Sequence, residues 1–188
     1  MPEIRRGSFS LDLGFLRLAA DVTEEDRQCA WEVYTEIVTR VAVMGKAQDP
    51  HASDFSGEVL AESLTSLYTF VGELRRIMRK FPVGRLAVGQ NGHLGVLVND
   101  AIVNVLRPFL EKWQAKYRHW WETMAKKSLP PINRQELYPW YNEFVQDWTH
   151  LRQLMRILVA VLVRHYKLVD VHAVPRLIGA DALGAEGV

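Results

Sequence analysis

Residues 137–165 read LYPWYNEFVQDWTHLRQLMRILVAVLVRH, and this stretch decides the fold. Leu137, Tyr141, Phe144, Trp148, Leu151, Met155, Leu158 and Leu162, with His165 after them, step alternately by four and three. That spacing keeps one stripe along an α-helix, whose period is about 3.6 residues. Pro139 falls in the first turns of the expected helix, where proline is tolerated.

The same spacing recurs upstream. Thr23 followed by Glu24, Glu25 and Asp26 reads as a capped, acidic helix start, and Ala30, Tyr34, Ile37, Val41 and Met44 form a stripe that Gly45 ends. A second helix is expected from near Ser56, with Leu60, Leu64, Leu67, Val71, Leu74, Met78 and Phe81 on one face and Pro82 and Gly84 as its stop. A third begins around residues 91–94 and runs towards Lys127 on Val98, Ile102, Leu106, Phe109, Trp113, Tyr117, Trp120 and Met124. Pro108 lies inside it and predicts a bend. Pro130 and Pro131 mark the turn into the fourth helix. A seven-residue apolar repeat on successive helices implies nearly aligned packing at about 20°. The expected fold class is therefore all-α, an antiparallel four-helix bundle with long helices three and four.

At the N-terminus, Phe9, Leu11, Leu13 and Phe15 alternate with polar or small residues, which predicts a short strand or arm within residues 1–22. A strand at residues 169–173 is a candidate partner for it. Residues 179–188 are small and weakly patterned and read as a flexible tail of the single domain, 1–188.

Composition narrows the function. The 188 residues are 48% hydrophobic and carry a formal net charge of +1, so any basic surface is local. One cysteine, Cys29, excludes an internal disulfide and a cysteine-rich zinc site, and a cytoplasmic location is the default expectation. The longest apolar run, residues 157–163, is bracketed by Arg156 and Arg164 and too short to span a bilayer. Stable membrane insertion is not expected.

No catalytic set emerges. The histidines, His51, His93, His119, His150, His165 and His172, show neither His-x-x-x-His nor Glu-x-x-His spacing, so no metal site is expected. Gly84, Gly89, Gly92 and Gly95 match no phosphate loop, and no cofactor is expected. Asp49, His51, Asp54 and Glu58 share the first connection without the spacing of a calcium loop. Cys29 has no neighbouring base and reads as an inert, semi-buried thiol. Arg40 and Arg107 lie beside the seam positions Val41 and Leu106, which predicts partial burial and carboxylate partners among Glu36, Glu62 and Glu73 on neighbouring helices.

Aromatic residues gather where helices three and four meet. Trp113, Tyr117, Trp120 and Trp121 precede the turn, and Tyr138, Trp140, Tyr141, Phe144 and Trp148 follow it. An antiparallel hairpin brings Trp113 level with Trp148 and Trp120 level with Tyr141. Both hairpin helices exceed their partners in expected length, so this end should project. Trp120 and Trp121 point about 100° apart, which makes one seam a poor home for both. The expectation is a protein-docking surface on Trp120, Trp121, Lys116, Tyr138 and Trp140, for a protein partner or a second copy. A basic set, Arg75, Arg76, Arg79, Lys80 and Arg85, offers phosphate contacts, and Lys112, Lys116, Arg118, Lys126 and Lys127 sit among the tryptophans. Nucleic-acid binding of a weak kind therefore stays open.

Three stretches carry a family resemblance: YTEIVTRVAV at 34–43, ESLTSLY at 62–68 and VNVLRPFLEKW at 103–113, with Arg107 and Pro108 its most recognisable pair. Together they resemble a helical module of uncharacterised bacterial proteins associated with signalling and conflict systems, antiviral defence among them. The resemblance implies a non-enzymatic interaction protein, an adaptor or effector-associated component. The alternatives are a nucleic-acid-binding accessory protein and a membrane-active, cell-killing effector.

Overall fold

Thr23 opens the first helix as its sequence implies. Its hydroxyl accepts the Asp26 N–H at 3.1 Å, and the Asp26 carboxylate accepts the Thr23 N–H at 3.1 Å, a reciprocal cap on α1 (Glu24–Val38). A computed structural model describes this and the rest of the chain over residues 3–6, 9–12, 22–81, 94–124 and 128–171. Leu13, Phe15, Gly84, Arg85, Gly89, Gly92, His93, Lys126, Lys127, His172 and the expected tail at 179–188 lie outside the described residues.

The first helix is shorter than its stripe predicts. Thr35 and Thr39 turn their hydroxyls back onto the carbonyls of Trp31 and Thr35, at 2.9 and 2.7 Å. Such back-bonding competes with the helical ladder, and it coincides with a β-branched run. Arg40 is extended, and the chain restarts as α2 (Val41–Met44). The break rotates the stripe, so Ala42 and Val43 are buried while Val41 is 45% exposed. Gly45 then turns the chain at φ +69°, a conformation that favours glycine.

The second long helix, α3 (Leu60–Lys80), begins four residues later than Ser56. Asp49 accepts the N–H groups of His51 and Asp54 at 2.9 and 2.6 Å, and Asp54 binds the Ser56 N–H and Lys46, both at 2.8 Å. These bonds hold residues 46–56 in turns. Val59 gives no side-chain cap. The first N–H of α3, at Leu60, is instead capped by Gln135 Oε1 at 2.9 Å, while Gln135 Nε2 donates to the Glu58 carbonyl at 2.9 Å. A residue 75 positions away thus sets where α3 starts. Its stripe is buried as expected from Leu60 through Leu74.

The third segment runs through α4 (Leu94–Ala101), a wider π-helical turn (Ile102–Leu106) and α5 (Arg107–Thr123). The Arg107 N–H reaches back five residues to the Ile102 carbonyl. Pro108 has no N–H, and its ring would crowd the carbonyl four residues earlier; the wider turn next to it accommodates both. The helix stops at Thr123, short of Lys127.

The expected fourth helix divides. Residues Pro131–Gln135 form α6, Pro139 precedes the next helix, and α7 spans Tyr141–Tyr166. Leu137 is therefore 45% exposed instead of on the seam, whereas Phe144, Trp148, Leu151, Met155, Leu158 and Leu162 are buried in it. The three–four hairpin does not project freely, because Gln135 folds its turn back onto the start of α3.

α1 packs on α3 and α7, and α5 packs on α3 and α7, which encloses one core. The all-α reading of that core holds. At the N-terminus β1 (Glu3–Arg6) and β2 (Phe9–Asp12) pair antiparallel, with Arg6 opposite Phe9. β2 pairs with β1 and not with residues 169–171, which form no strand; Ala173 lies outside the described residues. Phe9 is buried, its ring 6.1 Å from Phe109.

Arg152 is fully buried. Its Nη2 donates to both carboxylate oxygens of buried Glu58 at 2.9 and 2.7 Å, and its guanidinium lies 4.1 Å over the Phe55 ring. One turn on, Arg156 donates to the carbonyls of Met44, Lys46 and Asp49 at 2.8, 2.9 and 2.6 Å. The sequence does not mark Arg152 as a core residue, although Trp148, Arg152 and Met155 keep the four-three spacing. Arg40 is half-buried as expected and pairs with Glu36, one of the expected carboxylates, though one turn away and not on a neighbouring helix. Its Nη1 also reaches Ser66 on α3 at 3.5 Å, whereas Arg107 pairs with Glu111 one turn on. Arg107 is exposed, since α5 turns it away from the seam.

Arg152→Met should cost about 3–5 kcal/mol, because it leaves the Glu58 charge buried and unpaired. Arg152→Met with Glu58→Met should recover most of that loss. Urea unfolding followed by far-UV circular dichroism measures both, and equal losses in the single and double variants would refute the pairing.

Candidate functional site

The aromatic residues form one continuous stack. Trp148 donates its Nε1 to the Ala42 carbonyl at 2.7 Å and lies 5.2 Å from Phe144. Phe144 lies 5.0 Å from Trp113 and 4.9 Å from Tyr117, and Tyr117 lies 5.0 Å from Tyr138. Tyr138 then meets Trp120 at 5.0 Å and Trp140 at 5.6 Å. The cluster is the expected one, with shifted register. Trp113 meets Phe144 and donates to Asp147 at 2.9 Å instead of lying level with Trp148, and Trp120 meets Tyr138 instead of Tyr141.

Polar groups fasten the deep side of the stack. Asp147 also accepts from Lys112 at 2.7 Å, and Lys112 lies 4.7 Å over the Trp113 ring. At the outer side, burial raises the phenols of Tyr117, Tyr138 and Tyr141 above the ordinary tyrosine range, so all three stay neutral. The hydroxyls of Tyr117 and Tyr138 have no hydrogen-bond partner among the described residues.

Exposure separates members of the expected patch. Tyr138, expected at its margin, is only 2% exposed and belongs to the core. Trp120 and Trp121 are half-buried, and the Arg134 guanidinium covers Trp121 at 3.5 Å from the ring. Arg134 of α6 thus supplies a second face for Trp121. Lys116 is exposed and Trp140 is 54% exposed. Ile132 and Leu137, at 39% and 45%, join them at the surface. Sequence reading missed these two because a turn was expected around Ile132 and a seam position at Leu137.

The basic set is partly neutralised by neighbouring carboxylates. Arg75, Arg76, Arg79 and Lys80 are exposed on α3, but Arg76 pairs with Glu73 at 2.6 Å and Lys80 with Glu32 on α1 at 2.6 Å. Arg85 lies outside the described residues. Among the described residues, no three histidine, cysteine, aspartate or glutamate side chains are grouped to hold a metal ion. Asp49 and Asp54 are engaged in loop hydrogen bonds and Glu58 in the Arg152 pair. No helix among the described residues is long and apolar enough to cross a membrane.

The chain matches no protein-family model, no curated protein and no solved structure.

Cys29 is buried on α1, and burial, with Glu32 and Asp26 nearby, pushes its thiol up to about 11. The folded value exceeds the ordinary one of about 8.5, so the stability this group contributes is present below that pH. It is lost as pH rises through the folded value. Native protein at pH 8 should therefore react with a thiol reagent far more slowly than urea-unfolded protein, and the melting temperature should fall between pH 9 and 11 more steeply than in Cys29→Ala. Identical reaction rates for native and unfolded protein would contradict the burial.

Proposed function

We propose that this chain is a non-enzymatic interaction protein that docks a protein partner on the aromatic end of an antiparallel helical bundle. One observation carries the reading. Ile132, Leu137 and Trp140 expose 39%, 45% and 54% of their surface within one short segment, next to half-buried Trp120 and Trp121. Tryptophan and arginine are enriched among the anchors of protein interfaces. Lys116 and Arg134 supply that rim. Pairwise packing of α1, α3, α5 and α7 supports the bundle, which gives the patch a rigid base. The defence-associated module that the sequence resembles favours an adaptor or effector-associated role in a bacterial antiviral system, in the cytoplasm.

The rivals require more. Leu158, Val159 and Leu162 of the apolar run are buried, so membrane insertion demands opening of the core. Nucleic-acid binding has to draw on cations of which several are already paired.

Trp140→Ala with Leu137→Ser should remove partner capture from the source cells, or self-association in sedimentation, while the melting temperature stays nearly unchanged. Trp148→Ala should instead destabilise by about 3–5 kcal/mol, because its ring is fully enclosed. Retention of every partner and of the oligomeric state in the double variant refutes the docking assignment. Titration with single- and double-stranded DNA and RNA should show no binding tighter than roughly micromolar at physiological salt; tighter, sequence-dependent binding promotes the nucleic-acid reading.

A further inference from the structure

A second surface lies away from the aromatic end, between α3 and α5. It is a groove of about 810 Å³. Tyr68, Gly72 and Arg75 line it from α3 at helical spacings of four and three. Arg107, Glu111, Gln114 and Arg118 line it from α5 at spacings of four, three and four. Arg107 to Arg118 spans about 16 Å at 1.5 Å per residue, three turns of helix. The floor is apolar, formed by Val71 and Leu110 at 6% and 8% exposure.

Charge in the groove is one-sided. Three arginines face one glutamate, Glu111, which is already paired with Arg107 at 2.7 Å. Arg118 donates only to the Thr65 hydroxyl at 3.2 Å, and Arg75 has no partner among the described residues. The Arg118–Thr65 contact sets the far end of α5 beside the start of α3. Cations therefore stand at both ends of an apolar trough.

Gly72 is the second observation. It sits mid-helix, where glycine is the poorest choice short of proline. A Cβ there would meet nothing within 4 Å, so packing within the fold does not require glycine. The bare backbone widens the trough at its middle.

We propose that this groove takes an acidic amphipathic helix of a protein partner. Its carboxylates, three turns apart, meet Arg118 at one end and Arg75 with Arg107 at the other, and its apolar side chains lie on Val71 and Leu110 across Gly72. A helix laid between two helices is a common recognition mode, and arginine forks select carboxylates. A single nucleic-acid strand fits less well. Tyr68 is the one aromatic residue in the lining on which a base could stack.

The probe is a short, labelled helical peptide with glutamates three turns apart around a leucine pair, followed by fluorescence anisotropy on the full chain. Saturable binding at or below roughly 100 micromolar is expected. Arg75→Glu and Arg118→Glu should each weaken it about tenfold or more, and a peptide with lysines in place of the glutamates should not bind. Gly72→Leu should abolish binding while leaving or raising the melting temperature, since leucine is the better helix former. That separates a filled groove from a lost fold. Equal affinity for Gly72→Leu and wild type, equal affinity for the lysine peptide, or no saturation by the acidic peptide would each overturn the proposal. Displacement of the peptide by a lower concentration of single-stranded oligonucleotide would overturn it in favour of nucleic acid. The aromatic end is untouched by these variants, so its own test stands apart.

Discussion

The buried pair of Arg152 and Glu58 is the constraint on which the rest of the structure depends. Taking two charges out of water costs several kcal/mol per ion, which only good geometry offsets. Here that geometry demands four segments at once. Arg152 comes from α7 and Glu58 from the loop before α3; Phe55 lies against the guanidinium, and the Glu58 carbonyl binds Gln135 of α6. The Ala42 carbonyl of α2 accepts from Trp148, one turn before Arg152. Moving any one of these segments leaves a buried polar group without a partner. The pair therefore specifies a single arrangement of the loop 45–59 more than it adds stability.

The position of the aromatic end follows from that arrangement. Gln135 spans the Glu58 carbonyl and the Leu60 N–H, which draws α6 down onto the start of α3. With α6 in place, Arg134 covers Trp121 and Tyr138 drops into the stack against Tyr117. Ile132, Leu137 and Trp140 are the side chains left outside. A polar network in the core thereby determines which apolar groups stay exposed. The α3–α5 groove has a different origin: Gly72 and the arginine-bearing faces of two helices leave it open.

Legibility of these features depended on how far apart the interacting residues lie. The α1 start was readable because Thr23 and Asp26 are three residues apart. The seam from Phe144 to Leu162 was readable because one helix repeats its own pattern. The aromatic cluster was foreseeable as a cluster, since both flanks of one turn carry it. Its register was not, because α6 occupies part of the connection and shifts Tyr138 into the place expected for Tyr141. Arg152 was missed although it sits between Trp148 and Met155 at seam spacing, because a basic residue at such a position reads as solvated until its partner is known.

By itself, then, the sequence determined the helices, their buried faces, the reciprocal cap on α1 and the grouping of aromatic residues around one turn. These rest on periodicity and on hydrogen bonds between near neighbours, which any short window of chain contains. Only the tertiary structure decided where α1 breaks, that Gln135 caps α3, that Glu58 meets Arg152 and that Tyr138 is buried while Leu137 is not. Each of these is a choice among several locally acceptable conformations. The energy that selects one comes from satisfying a buried polar group with a partner 75 to 106 residues away, as in the Leu60–Gln135 and Ala42–Trp148 hydrogen bonds. No local pattern encodes that pairing.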